Sequence, residues 1–146
     1  NQHRHGYNNP TYGTASVVLA LADNDPHQLL PKALNWLRTR QNEDGGWGGG
    51  KKSPSSIEET ALALEALATA ITPANAGKKD EEILGRGLDW LAKATGDGHA
   101  FPTAPIGFYF AKLWYHERLY PLIFTTTALG KYLRATSEEF GPDRPR

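Results

Sequence analysis

The side chains best suited to chemistry in this sequence are aromatic. Phe101, Phe108, Tyr109, Phe110, Trp114, Tyr115 and Tyr120 fall within one short stretch. Aromatic faces can hold a cation without capturing it as a nucleophile would, and they serve equally well as ordinary core. On the residues alone both uses stay open. Acid–base candidates are sparser. Asp23-Asn24-Asp25-Pro26 reads as a turn, since Asn and Pro favour one between helices. Asp44 stands in a glycine-rich loop. Glu58 and Glu59 are neighbours on a helical stretch, so their side chains leave the axis about 100° apart and cannot face each other across a sugar. The five histidines, His3, His5, His27, His99 and His116, are scattered without HExxH or other paired spacing, so no metal site is expected. With no cysteine, disulfides, thiolate–zinc sites, iron–sulfur clusters and thiol nucleophiles are excluded. The expectation is a chain with no metal and no cofactor.

Helices must position these groups, because helical periodicity is easy to find and strands are not. Residues 14–22 are apolar on nearly all sides, as a helix buried in a larger assembly should be. Residues 31–40 follow, with Leu30, Ala33, Leu34 and Leu37 on one stripe and Pro31 suited to a first turn. A third helix over 55–70 has Ser55 or Ser56 as its N-cap, with Glu58 and Glu59 in the electropositive first turn. After a loop at 72–79 comes a fourth over 80–93, with the stripe Leu84, Gly87, Leu88 and Leu91. The aromatic segment at 107–119 is a fifth element, and Pro121 opens a sixth helix to about residue 135. The residues from 136 to 146 form a polar tail. The fold class read from this is all-α, a single unit of about six helices over residues 1–146.

The second and fourth helices repeat each other. Lys32-Ala33-Leu34-Asn35-Trp36-Leu37 matches Arg86-Gly87-Leu88-Asp89-Trp90-Leu91 at a constant offset. Each amphipathic helix lies beside a more apolar one, the pattern of a two-layer α/α array. A solenoid and a closed α/α barrel satisfy it equally. The first unit runs on through Gln41-Asn42-Glu43-Asp44-Gly45-Gly46-Trp47-Gly48. Glycines supply the turn after the helix. Trp47 can then fold back to stack on the Gln41 amide, and Gln41 can satisfy backbone groups at a neighbouring helix end.

Read whole, that unit resembles the QW repeat of the squalene–hopene and oxidosqualene cyclases, which are class II triterpene cyclases. Tyr12-Gly13-Thr14 before an apolar helix resembles their YGT segment. Residues 55–68 resemble the inner helix that follows the repeat, although Glu58 stands where glutamine is more usual. Phe108-Tyr109-Phe110, Tyr115 and Tyr120-Pro121, running into residues 128–133, resemble their C-terminal end. The resemblance covers essentially the whole chain. It implies an α/α-toroid fragment, the C-terminal piece of a larger cyclase. It also implies a structural clamp built from Trp36, Gln41, Gly45, Trp47 and Trp90. The second copy is degenerate: Thr95 replaces the glutamine, and residues 96–101 carry no tryptophan.

What the resemblance implies chemically is carbocationic cyclisation of squalene or a similar polyprenoid in a dry cavity. Phe108, Tyr109, Phe110 and Tyr115 would line that cavity, and Tyr12 would sit behind the catalytic acid. The acid itself is absent, because the family's DxDD motif is nowhere in this sequence. It lies in an N-terminal portion, comes from another chain, or has been lost with the activity. Asn1 to Gly6 show neither a signal peptide nor a methionine start, which suits a fragment. Arg4-His5-Gly6 departs from the family's tryptophan before that glycine, so His5 would make one wall polar.

Charge and hydropathy narrow the partners. Lysine plus arginine equals aspartate plus glutamate, 16 each, so no basic field attracts nucleic acid. No apolar run reaches the roughly 18 residues of a membrane-spanning helix. The expected partners are an apolar polyprenoid, the membrane surface by peripheral contact from a cytoplasmic location, and a second copy or the missing half-barrel. The alternative is a non-catalytic α/α repeat module that binds a lipid or protein. A protein prenyltransferase β-subunit relative would need an Asp, Cys and His zinc set, which the absent cysteine removes.

Overall fold

The structure is a computed structural model that describes residues 9–25, 28–71, 76–108, 113–117 and 119–137. Five helices and one hairpin occur among them: α1 (Pro10–Leu21), α2 (Leu30–Thr39), α3 (Ile57–Ala70), α4 (Lys78–Ala94), β1 (Ala104–Phe108), β2 (Leu113–Glu117) and α5 (Leu119–Ser137). Each helix start has a local cause. Asn9 caps α1 by accepting from Tyr12 N–H at 3.0 Å, with Pro10 in the first turn. The Asp25 carboxylate accepts the Leu29 and Leu30 N–H groups at 2.8 and 2.7 Å, so the acidic turn after α1 serves the free donors at the start of α2. Of the two candidate caps for α3 it is Ser56 whose hydroxyl accepts Glu59 N–H, at 3.2 Å. Asp80 accepts the Gly77 N–H at the start of α4.

The helices form two layers. The centre is α3, whose Ala61, Leu62, Ala63, Leu64, Ala66, Leu67 and Ala68 are all buried. It packs most extensively on α5, then on α1 and α4, while α2 lies against α1. The outer helices bury one stripe each, Leu34 and Leu37 of α2 and Ile83, Leu84, Gly87 and Leu91 of α4. Small alanines on α3 let its neighbours approach from several sides, so most of its residues are buried and its glutamates, Glu58, Glu59 and Glu65, are only partly so. This is the all-α, α/α-toroid arrangement expected from the repeat.

One element differs from the sequence reading. In the aromatic segment at 107–119, the described residues 107–108 and 113–117 are strand, not helix. Its described parts, β1 and β2, pair antiparallel with Gly107 opposite Trp114 and Ile106 opposite Tyr115. Pro105 and Gly107 disfavour a helix there, and the aromatic-rich run Leu113-Trp114-Tyr115-His116 suits a strand. Among the described residues five helices therefore stand where about six were expected, and the last one begins at Leu119, ahead of Pro121.

Candidate functional site

The first repeat's loop is the junction of the molecule, and its geometry follows from a few side chains. Trp47 is fully buried. Its indole Nε1–H donates to Leu37 O at 2.9 Å, satisfying a carbonyl in the last turn of α2. Its backbone N–H donates to Thr60 Oγ1 at 2.9 Å on α3, and its carbonyl accepts from Ser56 N–H at 3.0 Å. Gln41 reaches the other way. Its Nε2 donates to Gly45 O at 2.8 Å and to Ile83 O at 2.9 Å, in the second turn of α4. The helix-end duty expected of Gln41 is thus carried by Trp47, while Gln41 ties the loop to the second turn of the next outer helix.

The second repeat grips the same loop from its own side. Arg86 donates to Asn42 O at 3.1 Å and Glu43 O at 2.8 Å, and Trp90 Nε1–H donates to Asp44 Oδ2 at 3.0 Å. Asp44 Oδ1 accepts from Gly46 N–H at 3.0 Å and Ser55 Oγ at 2.8 Å. Burial alone would raise the Asp44 carboxyl, but the Ser55, Gly46 and Trp90 hydrogen bonds outweigh it and hold it below the usual carboxylate value. Gly45 sits at φ +98°, and a Cβ there would lie 2.7 Å from Arg86 O, so both the turn and the close approach need glycine. Gly87 matters for packing. A Cβ on it would meet Leu64 Cδ2 and Trp47 Cζ3, each at 2.8 Å.

Further links complete the junction. Arg38 of α2 pairs with Asp80 of α4 at 2.6 Å, and the Arg40 guanidinium lies 5.5 Å from the Trp36 ring centroid. The buried Thr11 hydroxyl donates to Gly48 O at 2.6 Å, and Asn9 Nδ2 donates to Glu59 Oε1 at 2.6 Å, tying α1 to the loop and to α3. At the second copy, Thr95 Oγ1 donates only to carbonyls of its own helix, Leu91 O at 2.8 Å and Ala92 O at 3.3 Å. The side chain is too short to reach a neighbour.

The residues singled out from the sequence thus divide. Gln41, Gly45, Trp47 and Trp90 come together at this loop, while Trp36 stands on α2 beside the Arg40 guanidinium. Tyr12 lies in the first turn of α1, 51 % exposed. Phe108 and Tyr115 lie on the paired strands, with Phe108 opposite Leu113. Tyr109, Phe110 and His5 lie outside the described residues. Sequence reasoning missed Asp44, Arg86 and Gly87 as parts of the clamp. The signal for Gly87 was present, since it stands where the first repeat has Ala33.

Near this junction a cavity of about 330 Å3 opens between the start of α3 and the end of α4, lined by Ser55, Ser56, Ile57, Glu58, Trp90, Ala94, Pro102 and Thr103. Glu58 Oε1 is buried with no hydrogen-bond partner. Burial, helped by the neighbouring Glu59 carboxylate, pushes the Glu58 carboxyl above its usual value against hydrogen bonds from its own backbone and from Ser56. Among the described residues no group of His, Asp and Glu could hold a metal ion, and no helix is long and apolar enough to cross a membrane.

A two-layer α/α repeat closed by a Gln–Trp loop defines a class of protein, and comparison with known families gives the assignment within it. The model of the squalene–hopene cyclase C-terminal domain matches residues 3–134, and the chain belongs to that family. It is 35 % identical over 99 residues to a squalene–hopene cyclase of Zymomonas mobilis, covering 58 % of this chain and 14 % of that one. A probable squalene–hopene cyclase of Sinorhizobium fredii is 34 % identical over 152 aligned positions, 88 % of this chain and 22 % of its own. An ent-beyerene synthase of Ricinus communis is 31 % identical over 102 positions, 67 % of this chain and 12 % of its own. The chain therefore spans less than a quarter of the length of these relatives. No solved structure matches it.

Proposed function

We propose that the chain forms part of the wall of a hydrophobic cavity in which squalene or a similar polyprenoid is cyclised through carbocations. The whole enzyme would be an isomerase or lyase of triterpenoid synthesis. The match to the cyclase C-terminal domain over residues 3–134 carries this reading. The clamp supports it, because a rigid frame of tied helices is what keeps a reactive cavity dry and in shape. Phe108, Tyr109, Phe110 and Tyr115 are the proposed cavity aromatics, presenting ring faces to the moving charge. Tyr12 is proposed to act behind the acid. The proton donor must come from outside these 146 residues, which contain no DxDD motif.

The test joins the chain to a DxDD-bearing N-terminal half of a relative and follows squalene by gas chromatography and mass spectrometry. Cyclic triterpenes are expected. Tyr115→Ala and Phe108→Ala should shift the products toward partly cyclised species, because the cation is less well held at later ring closures. A joined protein that folds, binds squalene and leaves it unchanged would overturn the reading.

A further inference from the structure

We propose that Asp97 is a site of spontaneous backbone modification, rearranging from aspartyl to isoaspartyl through a cyclic imide closed by the Gly98 nitrogen, and that the fold spares Asp44 the same fate. The Gly98 amide nitrogen attacks the carbon of the Asp97 side-chain carboxyl. A C–N bond forms, and the carboxyl hydroxyl leaves with the amide proton as water. A second water then opens the ring. Its addition at the side-chain carbonyl restores aspartate, whereas addition at the main-chain carbonyl leaves the chain running through the side-chain carbon. Water is the sole co-reactant. A following glycine favours closure, because no Cβ crowds the attacking nitrogen.

The sequence holds two Asp-Gly pairs, Asp44-Gly45 and Asp97-Gly98, one in the loop after each repeat, and the fold treats them oppositely. Asp44 accepts from Gly46 N–H at 3.0 Å, Ser55 Oγ at 2.8 Å and Trp90 Nε1–H at 3.0 Å. Those bonds favour its ionised form, and a carboxylate gives up an oxygen far less readily than a neutral carboxyl. Gly45 is buried, with Arg86 O only 2.7 Å from the place of a Cβ, so its peptide has no room to swing. Around Asp97, residues 96–100 are all exposed. Among the described residues nothing bonds the Asp97 carboxylate, and a Cβ on Gly98 would meet no atom within 4 Å. The Gly98 N–H is held by Thr95 alone, at 3.1 Å to its carbonyl and 3.3 Å to its hydroxyl. Asp97 also sits at φ +54°, a conformation few side chains adopt. The product gains a main-chain carbon inside a turn closed by Asp97 N–H on Ala92 O and Ala100 N–H on Thr95 O, each at 2.8 Å. It should therefore loosen the end of α4. The site stands whether or not the chain takes part in cyclisation.

The experiment ages the folded chain in warm, mildly acidic buffer beside the same chain unfolded in guanidinium chloride. Both are kept in heavy-oxygen water, which labels each ring opening, and isoaspartate is mapped by peptide mass spectrometry. In the folded chain Asp97 should accumulate at least tenfold more isoaspartate than Asp44. In the unfolded chain the two should accumulate comparable amounts, since only the fold separates them. Trp90→Phe combined with Ser55→Ala removes two of the bonds on Asp44. With helical circular dichroism unchanged, this variant should raise isoaspartate at Asp44 at least tenfold and leave Asp97 as it was. Equal accumulation at the two sites in the folded parent would overturn the proposal. So would an Asp97 that reacts only when unfolded, or a folded variant in which Asp44 stays inert.

Discussion

The Asp44 and Glu58 carboxyls are pushed in opposite directions, and their pH signatures should differ in sign. Asp44 is held below its usual value by hydrogen bonds from Ser55, Gly46 and Trp90, against its burial. Its contribution is present above the unfolded-state value and is lost as pH falls through the lower folded-state value. Asp44→Asn should therefore destabilise the chain near pH 7 and much less near pH 3, read from urea midpoints. Glu58 is raised by burial and by Glu59. The folded state then holds the proton longer than the unfolded one, so ionising Glu58 costs stability as pH rises from the unfolded-state value through the folded-state value. Glu58→Gln should stabilise the chain at pH 7 and lose that advantage below pH 4. A parallel pH response of the two variants would contradict both assignments. Gly87 is a packing residue. Gly87→Ala would press a methyl on Leu64 and Trp47. Trp47 is pinned by its bond to Leu37 and cannot retreat, so a cost of about 1–3 kcal/mol is expected from denaturant unfolding.

At the level of elements, the loop's reach decides which helices act as one unit. Gln41 joins the first repeat to α4 through Ile83 O, while Thr95 stays on its own helix. Gln41→Ala should cost about 1 kcal/mol for the lost bonds and speed amide hydrogen exchange in the first turns of α4 more than in α2. Uniform acceleration across the chain would mean that the loop is no local clamp. The helices themselves were readable because their cause is local. Stripes of Leu and Ala at helical spacing, Pro31 in a first turn and Ser56 as a cap all lie within a few residues of the feature they set. The loop was legible as a motif, yet its partners were not. Asp44 meets Trp90 and Gly45 meets Arg86 only after the two repeats stack, and stacking geometry is not written in either repeat alone. The hairpin escaped for a different reason. Its strands are short, and their aromatic content fits either a helix or a strand until Pro105 and Gly107 are weighed as helix breakers. Glu58 was seen as a first-turn residue, and only the packing of α4 beside α3 puts it on the wall of a cavity that Trp90 and Pro102 also line.

For the whole molecule, the question is what lies against α5. Its buried stripe of Pro121, Thr125 and Ala128 faces α3. The opposite side carries Leu119, Leu122, Ile123, Leu129 and Leu133, all exposed, with Leu133 at 60 %. Leu119, Leu122, Thr126, Leu129 and Leu133 follow the three–four spacing of a helix-pairing seam. Apolar side chains in that register on a surface seek a partner, since burying each gains about 1.5–3 kcal/mol. In relatives several times longer than this chain, further helices could lie there. The isolated chain has only copies of itself. It should therefore associate at micromolar to millimolar concentration, with sedimentation velocity showing a concentration-dependent shift. Leu119→Glu with Leu133→Glu puts charge on the seam without touching the face on α3, so the double variant should sediment as a monomer with unchanged helical circular dichroism. A parent chain that stays monomeric over the whole range would show that the seam is too weak to pair. Association that survives the double variant would place the contact elsewhere, with exposed Tyr12 and Val17 of α1 as the next surface to change.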